Sequence, residues 1–470
     1  MTADPELFAH TAAAPAGSLR VLHLGNLVNN GYLNAKFQRA AGIEADVVCD
    51  ESHIISQPEW EEVDLETPDD HNDRARVTAQ AATWRQPSWV IQAGDPAARR
   101  RFRGEYWLQY RLLLLTNARR ARALLADLRR SYAPLRDMLG ADLTSADLAW
   151  ALRVAWYERL LLDRALGPFL RSYDVVQAYT VHPIIPMVVA PDRPWVAYEH
   201  GTLRDIPYEP TPRGRLMSLA YRLADAVVIT NPDVRTSAER LGLSNFVFIP
   251  HPIDETKYRP GESALGARLR SGGATAVLFS PTRHDWHDKG NELVISAFAR
   301  LVHDGHPHAV IVFTEWGEDV GRSKQLAKRL GIERNVRWLP PLSKPRLLDG
   351  YRAADIVLDQ FVIGTFGGIV PEAMACAKPV VVAYDAAAHE WCFSEHPPVL
   401  GARSEDEIFR HLTRVIHDHG ERRRVGSAGR EWVERHYSTG VVVKRHSAVY
   451  AEIDERRSRR VSPARSGLSL

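Results

Sequence analysis

Residues 276–313 read AVLFSPTRHDWHDKGNELVISAFARLVHDGHPHAVIVF. The stretch opens on an apolar run, 276–280, passes through a polar loop, and continues as a helical apolar stripe over 292–303. It ends in a second apolar run, 309–313. Continuous short apolar runs separated by an amphipathic helix predict two parallel strands buried on both faces, with the helix packed across them. The same alternation continues in both directions. Toward the C-terminus come a helix over 321–330, a strand at 336–339, a helix over 345–354, a strand at 356–359, a helix over 369–375 and a strand at 379–383. A helix then opens at Ser404, with Glu407 completing a capping box, and further helices lie at 426–436 and 441–453. Toward the N-terminus, strands are predicted at 246–249, 226–230, 195–198, 175–179, 45–49 and 20–24, with helices over 234–241 and 215–224.

Residues 250–260 contain three prolines and break this rhythm, which marks a hinge. The fold class is therefore α/β, with two doubly wound Rossmann-like domains facing one another across a cleft. The expected layout is a flexible N-terminus (1–17), a first domain (18–250), a hinge (251–260) and a second domain (261–440). A C-terminal helix (441–455) is placed to cross back, and a disordered tail (456–470) follows. The first domain carries a long excursion at about 50–172. Its first part, 50–73, reads as polar loop, and helices are predicted at 105–130 and 145–170.

The chain of 470 residues is 45% hydrophobic and 25% charged, ordinary values for a globular protein. Its formal charge of +2 argues against a dedicated nucleic-acid binder. Of sixty basic residues only eight are Lys, and none lies between Lys36 and Lys257. Three scattered cysteines, Cys49, Cys376 and Cys392, suit neither a disulfide framework nor a Cys-rich metal site, and fit a cytoplasmic protein. The N-terminus lacks the basic and apolar regions of a signal peptide, and no run is long enough to span a membrane. The predicted helix at 105–130 follows Arg99, Arg100, Arg101 and Arg103. It either packs its Leu stripe on the first domain or lies peripherally on the inner face of an anionic membrane.

Four segments carry residues that can do chemistry. In Phe366-Gly367-Gly368-Ile369, two glycines open a helix with Pro371 and Glu372 in its first turn. This is either an ordinary capped helix or a seat for a phosphate and a ribose hydroxyl. The loop after the 276–280 strand carries Arg283 and Lys289, either a solvated basic loop or a clamp on a diphosphate. His284, Asp285, His287 and Asp288 in that loop are a weak metal signal without cysteine, and no metal is expected. Glu199-His200-Gly201 follows a strand, so His200 is either a turn residue or a substrate contact. Asn30 and Gly31 close the loop after the first strand, a turn that can also lie over a phosphate. The signatures of dinucleotide-binding, P-loop, α/β-hydrolase and zinc-protease sites are absent.

Taken in order, these segments resemble the retaining, nucleotide-sugar-dependent glycosyltransferases of family 4, which have the GT-B fold. The likeness covers roughly residues 18–48 and 173–454. It includes the His200 motif, Ala224-Asp225-Ala226, Ile249-Pro250, Arg283 with Lys289-Gly290, Phe366–Ala375, Tyr351-Arg-Ala-Ala-Asp355 and Gly426-Ser-Ala-Gly-Arg430. It implies a hexosyltransferase that moves a sugar from a nucleoside-diphosphate sugar to an acceptor hydroxyl, with retention and without a bound metal, in polysaccharide, glycolipid or glycoconjugate biosynthesis. Arg283, Lys289 and His200 would be catalytic. Glu372, Gly367, Gly368, Gly364, Phe366, Ile369, Asn30 and Gly31 would hold the donor. The family places a first Glu eight residues before Glu372, near the donor sugar; here that position is Gly364. That departure leaves two alternatives beside a transferase: a catalytically weak nucleotide-sugar-binding or scaffold protein, or a sugar-nucleotide epimerase. Nothing in the sequence assigns an oligomeric state.

Overall fold

The computed structural model describes residues 19–51, 53–67, 74–93, 115, 144, 146, 147, 150 and 166–461. The expectations for the N-terminus, the arginines at 99–103, the helix at 105–130, most of that at 145–170 and the last nine residues lie outside them. The chain divides into two units. The first comprises residues 1–57, 85–249 and 443–470; the second comprises 58–84 and 250–442.

The first unit holds seven parallel strands: β1 (Arg20–Leu24), β2 (Glu44–Cys49), β3 (Val90–Gln92), β4 (Val175–Tyr179), β5 (Trp195–Tyr198), β6 (Ala226–Ile229) and β7 (Phe246–Phe248), in the order β3-β2-β1-β4-β5-β6-β7. The second holds six: β8 (Ala276–Ser280), β9 (Ala309–Thr314), β10 (Val336–Leu339), β11 (Ile356–Leu358), β12 (Val380–Val382) and β13 (Leu400–Gly401), in the order β10-β9-β8-β11-β12-β13. Both orders run outward from a central strand, first one way and then the other. They create switch points between β1 and β4 and between β8 and β11, where ligands bind in such sheets. Strands β4, β8 and β9 are buried along their whole length, as their unbroken apolar runs require. The Asn291–His303 helix buries Val294, Ile295, Phe298, Leu301 and Val302 on one stripe against the sheet. Ser404 caps the Glu405–His417 helix, and Glu407 reaches back to the Arg403 N–H at 2.8 Å, so the capping box forms one residue wider than expected.

Three expectations need correction. The 50–73 stretch is not simply a polar loop. It contains the short helix Pro58–Glu62, and Ile54, Trp60 and Leu65 are all buried. Two of its acids meet basic partners, Glu61 with Lys257 at 2.7 Å and Asp64 with Arg346, while Ser343 Oγ accepts from Leu65 N–H. Residues 58–84 therefore belong to the second unit, although the excursion reads as part of the first. Val90–Gln92, hidden in the same excursion, supplies the edge strand β3. The tail is helical to Val461, because the last helix, Thr439–Val461, is anchored by its side chains. Tyr450 donates to Gln177 at 2.7 Å and accepts from Gln38 at 3.1 Å, and Arg457 reaches Asp225 and the Asp192 carbonyl. The network continues to His23, held between Tyr179 and Gln38; burial lowers its pKa to about 3 and keeps it neutral. Among the described residues no helix is long and apolar enough to cross a membrane, and none of the cysteines forms a disulfide.

The Gly426–Arg430 segment has a packing role. It lies in the His419–His436 helix, which packs on the helix Ile369–Ala375. A Cβ at Gly426 would overlap the Ala377 carbonyl oxygen, and one at Gly429 would stand 3.3 Å from the Met374 side chain. Arg430 donates to the Ala375 carbonyl at 2.7 Å, the last carbonyl of that helix. Gly426→Ala is expected to destabilise the protein by about 1–3 kcal/mol through overpacking, measured as a lower urea midpoint at unchanged m-value; an unaltered midpoint would contradict this packing.

Glu199, after β5, is fully buried. Burial pushes its pKa up from 4.5 to about 7, partly offset by Arg204. The native state thus keeps its proton over pH 4.5–7 while the unfolded chain has lost it, so stability falls as pH rises through that window, by about 3 kcal/mol for this group. Glu199→Gln should remove that fall. Denaturation curves of the two proteins should diverge in the mutant's favour between pH 4.5 and 7.5; parallel curves would refute the assignment.

Candidate active site

In the second unit the switch point lies between the ends of β8 and β11. After β8, the chain enters a loop clasped from the neighbouring strand: His284 N–H donates to the Trp316 carbonyl at 2.8 Å. Gly317 has φ +104°, and any Cβ there would overlap the His284 carbonyl, so only glycine lets the two loops close up. Sequence reading did not single out Gly317, whose signal appears only once β9 is placed beside β8. The clasp holds Arg283, about half exposed, paired with Asp285 at 2.7 Å and 3.7 Å from Asp288. Lys289 ends a single helical turn, Trp286–Lys289, closed by Gly290 at φ +66°. Its Nζ donates to Gln360, the second residue after β11, and its carbonyl accepts from Phe361 N–H at 2.8 Å. Burial lowers the Lys289 pKa, with Asp359 acting against that. Arg283 and Lys289 thus flank one switch point, as a diphosphate clamp would require.

The possible metal cluster disperses. His284 turns inward, with Nδ1 2.8 Å from Ser323 Oγ, and burial lowers its pKa to about 4. His287 is 94% exposed and pairs with Asp288. Among the described residues no three His, Cys, Asp or Glu side chains converge as metal ligands.

The helix carrying Glu372, Ile369–Ala375, is only seven residues long, so its dipole adds little and the cations must meet most of an anion's charge. Gly367 and Gly368 are exposed, and neither needs a positive φ. Their lack of side chains does something else. A Cβ on Gly367 would lie 3.9 Å from Asp359 Oδ2, and one on Gly368 3.5 Å from Glu372 Oε1. The two glycines therefore form a window over two buried carboxylates. Glu372 is held by Lys344 at Oε1 and by Tyr351 Oη at Oε2, 2.8 Å away. Burial lowers the Lys344 pKa, but the charges of Glu372 and Glu61 outweigh it and raise it. Lys344 and Asp359 were not found by sequence reading. Lys344 opens the helix Lys344–Ala353, one residue before the start expected from sequence, and Asp359 reads as the end of a strand.

Gly364 stands apart from this window. Its carbonyl accepts from Asp385 N–H at 3.0 Å, and a Cβ would come 2.5 Å from Arg403 Nη2 and 2.8 Å from Asp385 Cβ. Phe366 packs inward on Tyr384 and His389, and Ile369 begins the helix at partial exposure.

In the first unit, Asn30 and His200 are brought together: Asn30 Nδ2 lies 3.2 Å from His200 Nδ1. An amide nitrogen can only donate, so Nδ1 accepts and the ring proton sits on Nε2. Burial, with Arg204 nearby, lowers the His200 pKa to about 4, which makes it a neutral donor at pH 7. Gly31 is buried, and a Cβ on it would overlap the Gly25 carbonyl oxygen. Its contribution is close packing of the helix Asn30–Ala40 on the loop after β1. Gly25, at φ +101°, backs onto His182, whose Nε2 lies 2.8 Å from Asp50 Oδ2 at the β1/β4 switch point.

Residues 269–432 match the family model described as glycosyl transferases group 1. A D-inositol 3-phosphate glycosyltransferase of Geodermatophilus obscurus is 28% identical over 187 residues, 37% of this chain and 42% of that protein. D-inositol 3-phosphate glycosyltransferase 1 of Catenulispora acidiphila is 36% identical over 145 residues, 28% of this chain and 34% of that protein. The chain thus spans less than half the length of these relatives. Among solved structures, Anabaena Alr3699/HepE in complex with UDP and glucose aligns with a TM-score of 0.57 at 16% identity, covering 94% of this chain and 100% of that one. Sucrose-phosphate synthase from Thermosynechococcus elongatus aligns with a TM-score of 0.58 at 13% identity, covering 93% and 100%. The two parallel, doubly wound sheets give the chain the GT-B fold, and its residues 269–432, within the second unit, are similar to the glycosyl transferases group 1.

Proposed function

We propose that the protein transfers a sugar from a nucleoside-diphosphate sugar to an acceptor hydroxyl with retention, in the cytoplasm, during polysaccharide, glycolipid or glycoconjugate synthesis. The observation that carries this reading is the β8/β11 switch point, where Arg283 and Lys289 stand beside the glycine window over Asp359 and Glu372. In this reading the two cations bind the diphosphate and take up the negative charge that grows as the bond to the anomeric carbon breaks. Glu372, fixed by Lys344 and Tyr351, accepts ribose hydroxyls. A diphosphate oxygen takes the acceptor's proton, so no protein base is required. His200, neutral and donating from Nε2, is the first unit's own candidate donor to a ligand oxygen. Relatives named as glycosyltransferases and a neighbour crystallised with UDP make uridine nucleotides the first to test.

A second reading, a nucleotide-sugar-binding protein without turnover, draws on Gly364, which offers no carboxylate and whose side-chain space Arg403 and Asp385 fill. Release of nucleoside diphosphate from a panel of sugar nucleotides, with and without acceptor sugars and lipids, separates the two. Transfer is expected from wild type, a loss of roughly 100-fold or more in Lys289→Ala and Glu372→Gln, and near-normal rates in His287→Ala. Unchanged rates in the first two variants would remove the site from consideration, and binding without release for every donor would favour the second reading.

A further inference from the structure

Asp359 is the residue at which β11 reaches the switch point, and it is only 4% exposed. Its two carboxylate oxygens have unlike surroundings. Oδ1 accepts from Thr282 Oγ1, on the loop after β8. Oδ2 is buried and receives no hydrogen bond from any described residue. The nearby Lys289 ammonium is turned to Gln360 instead. A buried carboxylate oxygen without a donor is rare in a folded protein and calls for an explanation. Oδ2 lies beneath Gly367, which is exposed and bare of a side chain. An anionic oxygen beside a diphosphate clamp repels the ligand it would help to hold, unless the ligand brings a proton donor to it. A sugar hydroxyl is such a donor. Glu372, held by Lys344 and Tyr351, is taken by the ribose in this reading, and Gly364 supplies no side-chain acceptor. Asp359 is thus the acceptor beside the Lys289 side of the clamp whose second oxygen awaits a donor.

We propose that Asp359 Oδ2 accepts a hydroxyl of the donor's sugar ring, so that this residue distinguishes a nucleoside-diphosphate sugar from the bare nucleoside diphosphate. The proposal rests on the nucleotide-sugar reading of the site. Burial raises the Asp359 pKa, with Lys289 and Thr282 acting against it, and an arriving hydroxyl would favour the ionised form further.

The test is calorimetric titration of the full chain with UDP, UDP-glucose, GDP and GDP-mannose, in wild type, Asp359→Asn and Thr282→Val. Asp359→Asn, which removes a negative charge beside the clamp, is expected to bind the bare diphosphate at least as tightly as wild type and to lose at least tenfold in affinity for the matching sugar nucleotide. Thr282→Val, which frees the carboxylate to swing, should lose in the same selective way but less. The Thr282→Val result carries the test should Asp359→Asn fail to fold. Equal loss for diphosphate and sugar nucleotide, or no loss for either, overturns the role, since a residue that only supports Lys289 would weaken both alike. Wild type that binds none of the four overturns the nucleotide-sugar reading, and this proposal with it.

Discussion

Burying the Glu372 carboxylate is the constraint on which the second unit's site depends. A charge in that position must be paired and hydrogen-bonded, and breaking such a pair typically costs about 3–5 kcal/mol. Lys344 and Tyr351 meet it from the two ends of one helix, Lys344–Ala353. Lys344 in turn feels Glu61, and Glu61 is anchored on Lys257. Tyr351 packs against Phe279 of β8 at 5.6 Å between ring centres, and Gly350 beside it leaves room for that ring. A single carboxylate therefore ties together the excursion, the 250–260 segment, the 344–353 helix and the central strand. The helix that carries it is pinned from the other side by Gly426 and Arg430.

The arrangement explains why so much of the fold was legible and why parts of the site were not. Buried parallel strands write themselves as apolar runs, so β8, β9, β4 and β5 could be read directly, as could the amphipathic 291–303 helix. Arg283, Lys289, Gly367, Gly368 and Glu372 were legible because a loop after a strand and a helix start are local patterns. Asp359 and Lys344 were not, because their meaning is tertiary. Asp359 looks like a strand end until β8 lies beside β11 and brings Thr282 to it. The excursion misled for a related reason. Pro58–Glu62 is crowded with acids, which ordinarily marks solvent, yet Glu61 is 3% exposed at its side chain because Lys257 lies 196 residues later in the chain.

The glycines divide by the same logic. Gly25, Gly290 and Gly317 are required by backbone geometry, and Gly31, Gly350 and Gly426 by close packing. Gly367 and Gly368 need neither. Their Cβ positions are bounded only by two acidic side chains, at van der Waals distance or beyond. Glycine at these two positions leaves the space over both carboxylates free of any side chain.

The shortage of lysine sharpens the point. In a chain with eight Lys among sixty basic residues, Arg makes most of the surface pairs, such as Arg300 with Asp406 and Arg435 with Glu395, with Lys324 and Glu315 an exception. Lys257, Lys289, Lys344 and Lys378 are placed instead where a compact ammonium is aimed at protein oxygens: the Glu61 carboxylate, the Gln360 amide, the Glu372 carboxylate and the Arg352 carbonyl. A planar guanidinium needs a forked partner and more width, whereas an ammonium serves as a point charge at the end of a slender stem. Four lysines of this unit are thus turned inward, and Lys289, like Lys378, differs from Lys257 and Lys344 in having a neutral partner. Its oxygen belongs to a neutral amide, which leaves its positive charge less compensated than that of a lysine bound to a carboxylate. That residual charge at the end of β8, beside a half-exposed Arg283, is the electrostatic feature an incoming diphosphate would meet.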